Sequence, residues 1–296
     1  MPDPMPTAPL WLRILQFPPI RLALLGFSLL LCLGQSNFYI DQNKDSWFMA
    51  AFAAAGMIAL AMWIYVGFAR FVERREPSDL ALDPGLRELG LGLLVGSGLY
   101  TASVLILMIL GVIRIEGTNP VSFMVPAIAM AISSGFLEEL LFRGALFRIV
   151  ECWLGSWASV IISSVVFGFV HLMNPAATLT GAIFISIEAG LLLAAAYMLT
   201  RRLWLGIGFH ISWNYTQSAV FSGIVSGGVA EPGLFKTVVN GPELLTGGSF
   251  GLEASLIPCL LCTATGVVLA LQSVRRGHVV LPFWKQPREP MLHHAA

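Results

Sequence analysis

Ser133-Ser-Gly-Phe-Leu-Glu-Glu-Leu-Leu-Phe-Arg-Gly-Ala-Leu-Phe-Arg148 decides how this chain is read. It continues an apolar run that begins at Val121, so Glu138, Glu139 and Arg143 lie inside a segment long enough to cross a bilayer. Ionised side chains at membrane depth are costly, and they mark a functional site or a tight structural pair. At about 100° per residue, a helix sets Glu139 and Arg143 on one face in the favourable acid-before-base order. Glu138 is turned away from Arg143. The expectation is that Glu139–Arg143 braces the helix and leaves Glu138 for chemistry. The alternative is a single structural cluster of all three charges.

Composition sets the class. Of 296 residues, 56% are hydrophobic and 11% charged, against about 25% charged in a soluble domain. The chain therefore reads as an all-α, polytopic membrane protein. No basic run or interleaving of aromatic and basic residues points to nucleic acid. Cys32, Cys259 and Cys262 fall inside apolar spans and Cys152 near the end of another. Cys259-x-x-Cys262 has no second ligand pair, so these cysteines read as packing residues. No cleavable signal peptide is expected, because residues 1–19 mix charged and apolar positions.

About eight transmembrane helices are expected, near 22–40, 47–69, 88–113, 121–151, 157–173, 178–200, 203–224 and 253–273. Residues 1–20 read as an interfacial segment with Trp11 as an anchor, 21–273 as the membrane domain with its motif core at 121–224, and 274–296 as a cytoplasmic tail. The 71–87 stretch reads as an aqueous loop and 226–252 as an extracytoplasmic one. Gly92-x-x-x-Gly96 reads as a close-packing helix face. With this layout thirteen Lys and Arg residues lie on one side and three on the other, which sets both termini in the cytoplasm. A cell (plasma or inner) membrane is the expected location.

At about 1.5 Å per residue from the cytoplasmic ends, His210 lies roughly 10 Å deep, Asn214 about 16 Å, Glu138 roughly 18 Å and His171 about 21 Å. Four polar residues from three helices thus share one layer. Each alone has a structural explanation, such as Asn214 bonding two helices together. His210 and Asn214, four apart, share a helical face. No His-Glu-x-x-His run is present. Ser133 and Ser134 have no evident base one turn away and read as helix-packing hydroxyls. Glu188 is open between a structural partner of Arg143 and a pocket wall.

Glu138-Glu139-x-x-x-Arg143, Phe167-x-x-x-His171 and His210-x-x-x-Asn214 resemble, in order, the three motifs of the CPBP intramembrane endopeptidases. That family includes the CAAX prenyl endopeptidases of the Rce type and the bacterial Abi proteins, and the stretch 241–253 is similar to one common in bacterial members. The resemblance implies an Rce-type helical bundle and a membrane peptidase acting on a peptide or protein substrate. It implies water activated by Glu138 and His171, with His210 and Asn214 orienting or stabilising the oxyanion, and Phe167 beside them. Glu138, His171 and His210 also make an acceptable catalytic zinc set, so metal-free and zinc-dependent hydrolysis both stand, with a lean to the metal-free form. A catalytically silent membrane partner or immunity protein is the alternative function. A small transporter using Glu138 or Glu188 as an ion site is a third, lowered by the lack of paired broken helices.

Overall fold

The structure is a computed structural model and describes residues 9–285. The outermost parts of the expected interfacial segment and tail lie outside the described residues. The chain is an all-α, polytopic membrane protein, with seven helices among the described residues long and apolar enough to cross a membrane.

A short helix α1 (Leu10–Leu15) leads to α2 (Pro18–Gln42), where proline occupies the first turn, a position whose N–H has no helical partner anyway. α3 (Trp47–Phe71) and α4 (Gly85–Ile109) follow. α5 (Pro126–Glu139) runs through a π-helical segment, Leu140–Phe147, into α6 (Arg148–Leu154), forming one helical rod. α7 (Ser156–Val170) ends in a tight turn, His171–Met173. α8 (Leu179–Ile185) and α9 (Leu191–Thr200) are joined by a π turn, Ser186–Gly190. α10 (Trp204–Tyr215) continues through the π turn Thr216–Val220. A short α11 (Glu243–Thr246) precedes α12 (Leu256–Arg275).

Three features differ from the sequence reading. The expected span at 203–224 is helical only from Trp204 to Val220 and is not among the seven full-length spans. It needs no greater length, because it packs inside the bundle. The 71–87 stretch is not simply an aqueous loop: Asp79 is 2% exposed, bonded to Tyr65 and to Arg75 Nη1, the latter at 2.8 Å. The acid of this loop that anchors most is Glu73, which meets Arg21, Arg75 and Arg148 and ties α2, α3 and α6 together. Finally, β1 (Ile113–Thr118) pairs antiparallel with β2 (Phe235–Val239), with Ile113 opposite Val239, Thr118 opposite Phe235 and an irregularity between Ile115 and Thr118.

Glycine sets the helix spacing at the centre. A Cβ on Gly92 would stand 2.3 Å from the Leu205 carbonyl oxygen, and one on Gly96 would stand 2.4 Å from that of Phe209. On the other side of α10, a Cβ on Gly135 would meet the Ile211 nitrogen at 2.7 Å. α10 is therefore clamped backbone to backbone between α4 and α5, the approach that small residues allow inside membranes. Exposed apolar side chains, Phe27, Phe52 and Trp63 among them, cover the flanks of α2 and α3.

A Gly92→Val substitution should therefore push α4 off α10 and lower the melting temperature of the purified protein, the overpacking costing about 1–3 kcal/mol. Gly90→Val, on the same helix with nothing within 4 Å of its Cβ position, should be nearly neutral. Equal melting of the two variants would contradict the clamp.

Candidate active site

Two antiparallel helices carry the centre of the site in register. Ser134 and Glu138 stand one turn apart on α5, as do Asn214 and His210 on α10. Asn214 Nδ2 donates to Ser134 Oγ at 3.0 Å, and His210 Nε2 lies 3.8 Å from Glu138 Oε2. His171 arrives from α7, whose last turn tightens so that Nδ1 meets the Phe167 carbonyl oxygen at 2.7 Å. Its Nε2 then lies 4.0 Å from the same Glu138 oxygen.

The carboxylates are bound differently. Glu139, 1% exposed, receives Arg143 Nη1 at 2.7 Å and His210 Nδ1 at 3.2 Å on one oxygen. Room for it comes from Gly206, where a Cβ would stand 2.8 Å from Glu139 Oε2. Arg143 sits fully buried in the π-helical segment, bonds the Gly190 carbonyl at 3.3 Å and lies 4.6 Å over the Phe167 ring. Phe167 also meets His171 and His210 edge-on, with ring centroids 4.9 and 5.9 Å away. Glu138 Oε2, by contrast, is buried and has no hydrogen-bond partner among the described residues.

The two imidazoles share a target but differ in their anchors. A carbonyl can only accept, so His171 Nδ1 carries a proton, while its Nε2 faces Glu138. His210 is anchored on the Glu139 carboxylate, the partner that fixes a ring and supports its positive charge. The two rings are thus held by unlike partners, a backbone carbonyl for His171 and a carboxylate for His210.

Glu138, His171 and His210 are therefore brought together, with Phe167 beneath them and Asn214 one helical turn away. Glu188 is not among them, and Arg143 uses Glu139 and Gly190 instead. Of the paired serines, Ser133 makes an interhelical hydroxyl contact, with Ser36 at 2.6 Å, whereas Ser134 receives the amide of Asn214. The signal for Ser134 was its four-residue spacing from Glu138, which matches that of His210 and Asn214.

Among the described residues no group of three His, Cys, Asp or Glu side chains is arranged to hold a metal ion. The separations of 3.8 and 4.0 Å around Glu138 also exceed the roughly 3.3 Å between ligands at tetrahedral zinc with bonds of about 2.05 Å. As placed, the three side chains stand wider apart than tetrahedral zinc ligands.

Fold and site together define a multi-pass membrane protein with a Glu–His–His cluster whose histidines are buried and whose glutamate is partly so. Residues 120–216 match the model of the Rce1-like family, type II CAAX prenyl endopeptidase Rce1-like. Across that third of the chain the resemblance to the CPBP and CAAX proteases is borne out. No curated protein and no solved structure matches the chain.

Arg143→Ala would leave Glu139 as a buried charge with one fewer partner, which costs about 3–5 kcal/mol. The variant should accumulate poorly or melt well below the parent in detergent. Unchanged melting would show that Glu139–Arg143 does not brace the bundle.

Proposed function

We propose that the chain is an intramembrane endopeptidase of the CPBP type, in which Glu138 and His171 activate water and His210 and Asn214 stabilise the oxyanion. The observation that carries this reading is the unpartnered Glu138 oxygen facing Nε2 of two histidines with unlike anchors. Distances of 3.8–4.0 Å are too long for direct hydrogen bonds, which end near about 3.2 Å. A water about 2.8 Å from each would bridge them at angles close to 90°. Glu138 and the His171 lone pair accept its hydrogen bonds, and Glu138 takes one of its protons as its oxygen attacks the scissile carbonyl. The carbonyl oxygen becomes an oxyanion facing the Nε2–H of a charged His210, and Glu138 returns the proton to the leaving amine. Asn214, held by Ser134, supplies a second donor. The acids and bases come from this chain's own side chains.

The charge network supports a cytoplasmic placement of both termini. Arg21, Glu73, Glu88, Arg148, Glu151, Arg201 and Arg202 form ion pairs at helix ends that the alternating path brings to one end of the bundle. In this reading the bundle lies in the cell membrane and a peptide or protein substrate reaches the site from the lipid or its cytoplasmic face.

Comparing peptide termini in membranes and medium from cells carrying the parent or Glu138→Gln tests the activity. The parent should yield cleavage products that the variant lacks, with equal amounts of folded protein. Identical termini would sink the peptidase reading. Asn214→Ala should slow turnover by about 100-fold, as loss of one oxyanion donor does, with little change in fold. Full activity in that variant would remove Asn214 from the site. Activity that survives chelation, in protein holding no stoichiometric zinc, is expected; about one zinc per chain, lost with His171→Ala, would contradict the metal-free route.

A further inference from the structure

A second group of buried polar side chains gathers around Glu253, just before α12, and the chemistry at Glu138 makes no use of it. Glu253 is 2% exposed and well satisfied. One oxygen accepts Trp213 Nε1–H at 3.0 Å; the other accepts the backbone N–H and the hydroxyl of Ser226 at 2.5 and 2.8 Å. Three donors suit an ionised carboxylate, and they tie the 226–252 stretch to α10.

Glu188, in the π turn between α8 and α9, has none of this. It is fully buried, and neither carboxylate oxygen has a hydrogen-bond partner among the described residues. The groups that bear on it electrostatically are Glu253 and the Cys259 thiol. From α4, the Tyr100 hydroxyl lies in the field of both carboxylates and is buried, with no hydrogen-bond partner among the described residues. From α12, the Cys262 thiol lies in the same field. α7 brings Ser164 against Gly190, two residues on, with its hydroxyl also unpartnered. None of these groups is a cation, and Arg143 is committed to Glu139 and Gly190.

An ionised Glu188 would thus be a charge stripped of water, without a donor and beside the negative Glu253. Burial and like charge both oppose it. A bound proton removes the charge and with it both penalties. We propose that Glu188 is a proton-binding site distinct from the peptidase centre, occupied at neutral pH so that its side chain is a neutral acid. The proton leaves Glu253 as the single charge at the point where the 226–252 stretch is tied down, so releasing it would weaken that tie.

Infrared difference spectra of the full chain in lipid, parent minus Glu188→Gln at neutral pH, read the proton directly. The expected result is a protonated-carboxyl carbonyl band in the parent that shifts on exchange into heavy water and is missing from the variant. Loss of carboxylate bands instead would overturn the proposal. Because glutamine closely mimics the neutral acid, the variant should accumulate like the parent. Should it fail to, the parent alone suffices, using dicyclohexylcarbodiimide. The acid's proton passes to a carbodiimide nitrogen, the carboxyl oxygen bonds the central carbon with nothing leaving, and an acyl shift to nitrogen gives a stable adduct. Peptide mass mapping should find it on Glu188 and not on Glu253. An unmodified Glu188, or protection of Glu188 by sodium chloride, would overturn the proposal, the latter making it a metal-cation site.

Discussion

The bonds that converge on one oxygen of Glu139 hold the centre of this molecule together. Arg143 reaches it from the next turn of the same rod and His210 from the helix opposite, at 2.7 and 3.2 Å. A buried ion pair is weak evidence of stability by itself, because desolvation offsets most of the attraction. Its value here is geometric. Glu139 neutralises a fully buried guanidinium and orients the His210 imidazole beside Glu138. Arg143 then spans to α9 through the Gly190 carbonyl and to α7 through the Phe167 ring. One pair thus fixes the relative positions of the helices that supply the site residues.

Backbone irregularity does the rest of the positioning. The rod that carries Glu138 turns π-helical directly after Glu139, and such turns recur at functional sites because they re-aim side chains without ending the helix. α7 tightens into a 3-10 turn at His171, where the side chain bonds back to Phe167. α10 stays short and straight through its histidine and asparagine because glycines on α4 and α5 let both neighbours press against its backbone. The side chains around Glu138 are bonded to one another, while Glu138 Oε2 has no hydrogen-bond partner among the described residues. That contrast suits a group whose partner is a reactant.

Much of this was legible in the sequence, and the reasons differ from element to element. The helices at 18–42, 47–71 and 179–200 announce themselves by length and apolarity. Four-residue spacing predicted that Glu139 would face Arg143 and that His210 would share a face with Asn214, because helical periodicity is local. What depends on how helices meet was not legible. The link from Glu139 to His210 crosses 71 positions, and the Ser134–Asn214 bond crosses 80. The β1–β2 pair was hidden because its strands lie in polar connections more than a hundred residues apart. Glu188 was left between two roles, since its neighbours come from α4, α7 and the start of α12 and not from its own helix.

In the proposed mechanism two similar rings are held for opposite tasks. With five histidines in the chain, nitrogen-15 imidazole shifts in lipid at neutral pH can be assigned by single His→Gln substitutions. His171 should be neutral with its proton on Nδ1, and His210 should be protonated at both nitrogens. Two neutral rings, or a charged His171 beside a neutral His210, would contradict the division of labour between base and oxyanion donor.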